Sequence, residues 1–423
     1  MTEKLLQFIW QFQYYNNKTN LISAKGEIIQ IIQPGFHNSN QGPDFLNARV
    51  KIDDTIFAGS VEIHINASEW NLHKHSGDEN YNNVILHVVW VNDKNLEKDI
   101  PTLELGSRVS SVLLNRYENL MVNRHFIPCE DQIKTVNEFT FSAWKERLYV
   151  ERLQEKAGEI AAKLKKYNNH WEEVFWQFLA KNFGIKINSD AFVSMAVSIP
   201  ISILAKHKNQ LHQLEAMLMG QCGLLNKTFT DDYALMLQKE YKFLQKKYDL
   251  LPTHIPVHFL RMRPANFPTI RLSQLAMLVH NSHHLFSTLK DALHLKDVEK
   301  LFDVTANDYW HYHYVFDDEN TFKKKTLGKQ MIQNIFLNTV LPFLYAYGWY
   351  HNDEHYKEKA LLWSTQLLAE QNFITKGFTA LGVTNKSAFD SQSLIQLKNN
   401  YCNLKKCLDC AVGNSILKRE TVV

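Results

Sequence analysis

No run of about 18 apolar residues occurs anywhere in this 423-residue chain, so no transmembrane helix is expected. The N-terminus lacks the pattern of a secretory signal. Thr2-Glu3-Lys4 is followed by Leu5 to Trp10, and then Gln11, Gln13 and Asn16 arrive with no small-residue cleavage site. Cysteine is scarce and odd in number: there are five, three of them within nine positions, which does not fit a secreted disulfide framework. An excess of one charge is also lacking, since 47 Lys and Arg face 44 Asp and Glu for a net charge of +3. That balance tolerates a polyanionic partner without requiring one. No internal repeat at the spacing of solenoids is visible. The expectation is a cytoplasmic globular protein with no membrane partner.

What is present is ordinary globular material, 45% hydrophobic and 12% aromatic, in a chain long enough for two or more domains. Leu5, Ile9 and Phe12 at helical spacing predict a leading helix. From about residue 20 to 95 the signals are those of strands. Ile28 to Ile32 is β-branched before Pro34-Gly35, and the segments Ala48–Ile52 and Ile56–Ile65 flank Asp53-Asp54 as in a hairpin. Val84 to Val91 is almost continuously apolar, as in a strand buried inside its sheet. From about residue 138 the period becomes helical, with Trp144, Leu148, Leu153, Ala157, Ile160 and Leu164 recurring mostly every three or four positions. Breaks fall at Gly184, at Pro200 and at the pairs Pro252/Pro256 and Pro264/Pro268. The predicted fold is α+β: a mixed-sheet α/β core over residues 1–125, then a large all-helical domain over residues 138–423.

Chemistry-bearing residues concentrate at 42–64. Gly42-Pro43-Asp44-Phe45 is followed, 18 residues after Asp44, by Glu62 in Val61-Glu62-Ile63-His64. On a strand, Glu62 and His64 share one face while Val61, Ile63 and Ile65 share the other. A two-residue turn at Asp53-Asp54 sets Ile52 opposite Thr55 and Asp44 opposite Ile63, on the wrong face. A longer loop or one bulge, for which Gly59 is the candidate, sets Asp44 opposite His64 and brings all three together. This segment resembles the PD-(D/E)xK nuclease superfamily, with His64 where that superfamily usually has Lys. The resemblance implies that Asp44 and Glu62 hold a divalent metal, Mg²⁺ or Mn²⁺, and that His64 orients or deprotonates the attacking water. His64 is open to three roles, ligand, base or cation, according to its pKa. Downstream, Trp70-x-x-His-x-His-x-x-Asp-x-x-Tyr places His73, His75 and Asp78 as an alternative transition-metal set. His87, inside the apolar strand, reads first as a hydrogen-bonded core residue.

Three further features stand apart. Cys402, Cys407 and Cys410 form a C-x4-C-x2-C run whose close pair can chelate one ion. Cys129 is the favoured fourth ligand, with Cys222 the other choice, for Zn²⁺; the layout also resembles that of PD-(D/E)xK nucleases that carry an iron–sulfur cluster on one distant and three C-terminal cysteines, which implies such a cluster, and buried helical cysteines are the competing reading. Arg261, Arg263 and Arg271 surround two prolines and are candidate phosphate contacts, although arginines pairing with nearby groups is the commoner use. Lys323-Lys324-Lys325 reads as a solvated face. The segments at 42–45, 61–64 and 84–89, together with Arg261-Met262-Arg263-Pro264-Ala265-Asn266-Phe267-Pro268 and the cysteine-bearing C-terminus, resemble a bacterial family, domain of unknown function 2851. That resemblance runs nearly end to end and implies no activity. Two functions remain in view: a metal-dependent DNA nuclease with the helical domain as a clamp, and a non-catalytic scaffold for nucleic acid or protein built on a degenerate nuclease core. A His-rich metallohydrolase on His73, His75 and Asp78 is a third.

Overall fold

The computed structural model describes residues 1–73, 75–95, 100–251, 253, 255–260, 262–282 and 284–418. The chain divides into two compact units. One comprises Met1–Trp144, Ala380–Val383 and the residues from Leu397 onward; the other comprises Lys145–Thr379 and Thr384–Gln396.

The first unit opens with helix α1 (Glu3–Gln11), whose N-cap Thr2 accepts a hydrogen bond from the Leu5 N–H. Leu5, Leu6, Phe8, Ile9 and Trp10 are buried, whereas Phe12, beyond the end of the helix, is exposed. Strands β1 (Leu21–Ile22), β2 (Ile28–Gln33), β3 (Phe36–His37), β4 (Phe45–Ile52) and β5 (Thr55–Asn66) follow. After them come α2 (Glu69–Leu72), β6 (Val84–Val91), β7 (Thr102–Glu104) and α3 (Ser111–Val122). The sheet order is β1-β2-β4-β5-β6-β7, with β3 paired to β4. Pairing is antiparallel as far as β5 and parallel from β5 through β6 to β7, so the sheet is mixed and β6 is internal, as its apolar run predicts.

The β4–β5 hairpin sets Ile52 opposite Thr55, as expected, but its bulge is not at Gly59. The register shifts between Phe45 and Ala48, where Asn47 adopts φ 58°, a left-handed conformation that Asn tolerates. Phe45 then faces Val61, and one step further Asp44 meets Glu62 rather than His64. Gly59 serves a different purpose. A Cβ there would lie 2.5 Å from the Asn83 carbonyl oxygen and 2.5 Å from the Ile85 side chain, so only glycine lets the start of β6 approach β5.

The rest of the chain is mostly helical. It runs through α4 (Glu138–Lys166), α5 (Trp171–Phe183), α6 (Ile185–Ser198), α7 (Ile201–His207), α8 (Leu211–Gln221) and α9 (Asp232–Tyr248). Next are α10 (Pro268–Asn281), α11 (Leu285–Asp291), α12 (Leu295–Leu301), α13 (Tyr309–Tyr312), α14 (Lys329–Ile335), α15 (Leu341–His351) and α16 (Glu354–Gln366). The last are α17 (Phe373–Ala380), α18 (Ala388–Gln396) and α19 (Ala411–Lys418). Leu148, Leu153, Ala157, Ile160 and Leu164 are all buried on α4, which is what their spacing predicts. Ile199 is extended (φ −121°, ψ 90°) ahead of Pro200, the conformation that a following proline favours, and α6 stops there. Glu215 is the polar hub of the second unit. It is fully buried and accepts hydrogen bonds from Trp310 Nε1 (3.1 Å), Asn307 Nδ2 (3.4 Å) and the Tyr233 hydroxyl. Lys325 is not part of a solvated face: it is buried, donates to the His311 and Lys323 carbonyls and lies 4.0 Å over the Tyr314 ring. Among the described residues no single helix is long and apolar enough to cross a membrane, and α6 with α7 qualifies only as a pair bent by 75°.

The expected helical domain of residues 138–423 loses its tail. Residues from Leu397 group with the sheet unit because α19 buries Val412, Gly413, Ile416 and Leu417 and packs against α3.

Candidate metal centre

The parallel register of β5 and β6 pairs Glu62 with His87 and His64 with Val89. Alternation then directs Glu62, His64 and His87 to one face. This face does not look into solvent. Glu62 is 5% exposed, His64 1% and His87 0%, because α1 and the β5–β6 crossover pack over it. Burial of so many ionisable groups is costly unless they are paired or bound to a cation.

The carboxylate side is built by the bulge. The Asp44 N–H donates to Glu62 Oε2 (3.1 Å), and the Ile63 N–H donates to Asp44 Oδ2 (3.1 Å). Gln7, on α1, donates its amide to Asp44 Oδ1 (2.9 Å) and to Glu3 Oε1 (3.2 Å). Burial and then the like charge of Asp44 push the Glu62 carboxyl up to about 8, against the pull of the Asp44 N–H. Burial and then Glu3 push Asp44 up to about 6, with the Ile63 N–H and the Gln7 amide opposing. The carboxyl of Glu3 is also raised, chiefly by burial, while His73 attracts it. Three acids thus repel one another, and only a cation relieves that repulsion without protonating them.

The imidazole side comes from β5 and the crossover. His64, His73 and His75 each offer a ring nitrogen, and these atoms all lie within 4.8 Å of one another. His64 Nε2 is 3.2 Å from His73 Nδ1, and His64 Nδ1 is 2.9 Å from His87 Nε2. Glu62 Oε1 bridges toward both walls, 3.3 Å from His75 Nε2 and 3.6 Å from His64 Nε2. The His75 contact is close but misaligned, so among the described residues His75 Nε2 has no hydrogen-bond partner, and neither does His87 Nδ1. Tyr81 stacks on His75 with ring centroids 3.8 Å apart, and the Trp70 indole N–H donates to Ser76 Oγ (3.0 Å), which holds the crossover in place. Burial, followed by His87, His75 and His73, lowers His64 to about 3; burial and then His75 lower His87 to about 3. His75 is lowered by burial and His73, with Asp78 opposing. His64 is therefore neutral at physiological pH and cannot serve as the fixed cation that Lys would be.

The structure brings Asp44, Glu62 and His64 together, as the sequence pattern anticipates, and adds His73 and His75. Asp78 does not join the trio, because its carboxylate accepts from Asn80 N (2.9 Å) and Asn80 Nδ2 (2.8 Å) at the start of a short 3₁₀ turn. Glu3 and Gln7 lie some 40 residues before Asp44 on another element, and no local motif points to them. Of the arginines, Arg261 lies outside the described residues and Arg263 is exposed ahead of a 3₁₀ turn. Arg271 is not on a basic loop. It is buried in the first turn of α10, with its guanidinium donating to Asn266 Oδ1 (2.5 Å) and Gln274 Oε1 (2.9 Å).

Fold and centre together define a two-unit α+β protein with a buried acid–imidazole cluster on a mixed sheet. The chain belongs to the family described as "Protein of unknown function (DUF2851)", which it matches over residues 3–373. No curated protein and no solved structure matches it.

Proposed function

We propose that the protein is a metal-dependent hydrolase of DNA phosphodiesters and that its metal is a nitrogen-ligated divalent transition ion such as Mn²⁺ or Zn²⁺. One observation carries this reading: the buried Glu62 carboxylate lies between His64 and His75, beside the half-buried Asp44 carboxyl, with the unpartnered His75 Nε2 3.3 Å away. Three imidazoles favour a transition metal over Mg²⁺, which prefers oxygen ligands. His64, His73 and His75, with Glu62, are the residues that would hold the ion. When bound, such an ion neutralises charge on the phosphate and makes a water acidic enough to attack.

The chain's own residues supply the rest. His87 orients His64 through their 2.9 Å contact, as outer-shell partners of ligating imidazoles do. Asp44, fixed by Gln7 and the Ile63 N–H, is the carboxylate free to take the proton of the attacking water. The similarity of the Asp44, Glu62 and His64 pattern to PD-(D/E)xK nucleases supports the choice of phosphodiester as substrate. The test is cleavage of single-stranded, duplex and branched DNA with Mg²⁺, Mn²⁺ and Zn²⁺ in turn. Wild type should cut with Mn²⁺ or Zn²⁺, and Glu62→Gln and His73→Ala should each lose about a hundredfold or more in rate. Absence of cleavage with every metal and substrate, or full activity in Glu62→Gln, refutes the proposal.

A further inference from the structure

A second candidate site lies in the sheet unit, formed by cysteines that the proposed chemistry leaves unused. Cys402 ends a π-helical turn (Leu397–Cys402), Cys407 opens a 3₁₀ turn (Cys407–Asp409), and Cys410 immediately precedes α19. Cys129 caps a 3₁₀ segment (Glu130–Thr135) that packs against α19. All four are free thiols. Cys129, Cys407 and Cys410 are buried and Cys402 is half-buried. We propose that Cys129, Cys402, Cys407 and Cys410 form a tetrathiolate metal centre that fastens the C-terminal tail to the segment after α3.

Four observations converge on it. Each thiol faces the other three closely enough that their charges would repel, an arrangement that neutral core packing does not call for. Gly413 is forced by the site's compactness: a Cβ there would lie 2.2 Å from the Cys407 carbonyl oxygen, so only glycine allows α19 to begin against that turn. Lys405, at φ 51°, reverses the chain between Cys402 and Cys407, and its ammonium donates to the Met121 carbonyl. The two-residue spacing of Cys407 and Cys410 is that of thiolate sites that share one metal group.

Spacing also favours one filling. Among the described residues the histidine trio is the set whose ligand atoms all fall within 4.8 Å of one another, so the four sulfurs spread wider than that. With metal–sulfur bonds near 2.3 Å, a single Zn²⁺ draws its thiolates to about 4 Å from one another. A four-iron cluster, in which each thiolate binds its own iron, accommodates a wider spread.

The experiment is elemental analysis of the full-length chain purified without oxygen, combined with acid-labile sulfide and visible absorption. Iron and sulfide near four per chain, with charge-transfer absorption that dithionite bleaches, is the expected result. Zinc near one per chain supports the same tetrathiolate centre filled by a single ion. Cys129→Ser and Cys410→Ser should each lose the metal, whereas Cys222→Ser, buried at the end of α8 in the other unit, should keep it. The wild-type measurement stands even if a serine variant fails to fold. Wild type with neither metal, or Cys129→Ser and Cys410→Ser with undiminished metal, overturns the proposal.

Discussion

Replacing Glu62 with Gln should stabilise the metal-free protein, and by an amount that grows with pH. The Glu62 carboxyl moves from an ordinary 4.5 to about 8 on folding, because burial and Asp44 both oppose its charge. Its pKa is raised in the folded state, so its contribution is intact below about pH 4.5, where both states hold the proton. Between there and pH 8 the unfolded chain releases the proton while the native one keeps it, and stability falls by about 1.4 kcal/mol per pH unit. Above pH 8 the loss levels off at about 5 kcal/mol, which the neutral amide of Gln avoids. The side chain is almost fully buried, so solvent screening does not diminish this figure. Urea unfolding in EDTA at pH 4.5, 7 and 9 measures the gap between variant and wild type. It should be near zero at the first, about 3 kcal/mol at the second and largest at the third. A gap that is flat with pH, or a variant less stable than wild type at pH 9, refutes the reasoning. So would a gap that survives saturating Mn²⁺, since the cation would satisfy the carboxylate and remove its penalty.

Two more outcomes follow from the same geometry. Binding of Mn²⁺ must displace the Glu62 proton, so affinity measured by calorimetry should rise roughly fiftyfold from pH 6 to pH 8 as the ionised fraction climbs from about 1% to about half; a pH-independent affinity contradicts the placement of Glu62 at the metal. In the helical unit, Glu215→Ala strands Trp310, Asn307 and Tyr233 without their buried acceptor. It should cost about 3 kcal/mol or more in urea unfolding, and a loss below about 1 kcal/mol argues against a cooperative polar hub there.

Much of the architecture was legible because long periodic patterns are robust. Val84–Val91, β-branched and almost continuously apolar, reads as an interior strand, and the α4 positions from Leu148 to Leu164 mark one helix face with no competing period. The pairing of Asp44 with Glu62 was legible only to within one residue. The hairpin turn was readable from Asp53-Asp54, but the bulge depends on the left-handed conformation of Asn47, and an isolated Asn inside a strand pattern carries no visible mark of that. Burial of the chemical face was not legible either. A strand with alternating character implies one wet side, yet α1 covers that side with a helix whose own stripe gives no hint of where it docks. Glu3 and Gln7 reach the centre by that docking alone. Arg271 shows the opposite limit: three arginines around prolines suggest an exposed grip, but position 271 falls on the buried face of α10, which only the packing of that helix decides.

The composition of the centre follows from the change of strand direction at β5. An antiparallel neighbour can enter from a tight hairpin, so β4 brings Asp44 to Glu62 with no intervening structure. A parallel neighbour cannot, and the chain must cross over one face of the sheet between the end of β5 and the start of β6. That crossover holds only α2 and two short 3₁₀ turns (His75–Gly77 and Glu79–Tyr81), so its position is fixed by side chains instead of a long helix. Trp70, Tyr81, Val84 and Ile100 form a separate small core for this purpose. His73 and His75 ride on the segment that this core fixes, and Tyr81 itself stacks on His75. The acids come from α1, from the residue ahead of β4 and from β5, whereas two of the three imidazoles depend on four apolar side chains. His73 alone of the trio is exposed, so the crossover edge is where the centre meets solvent.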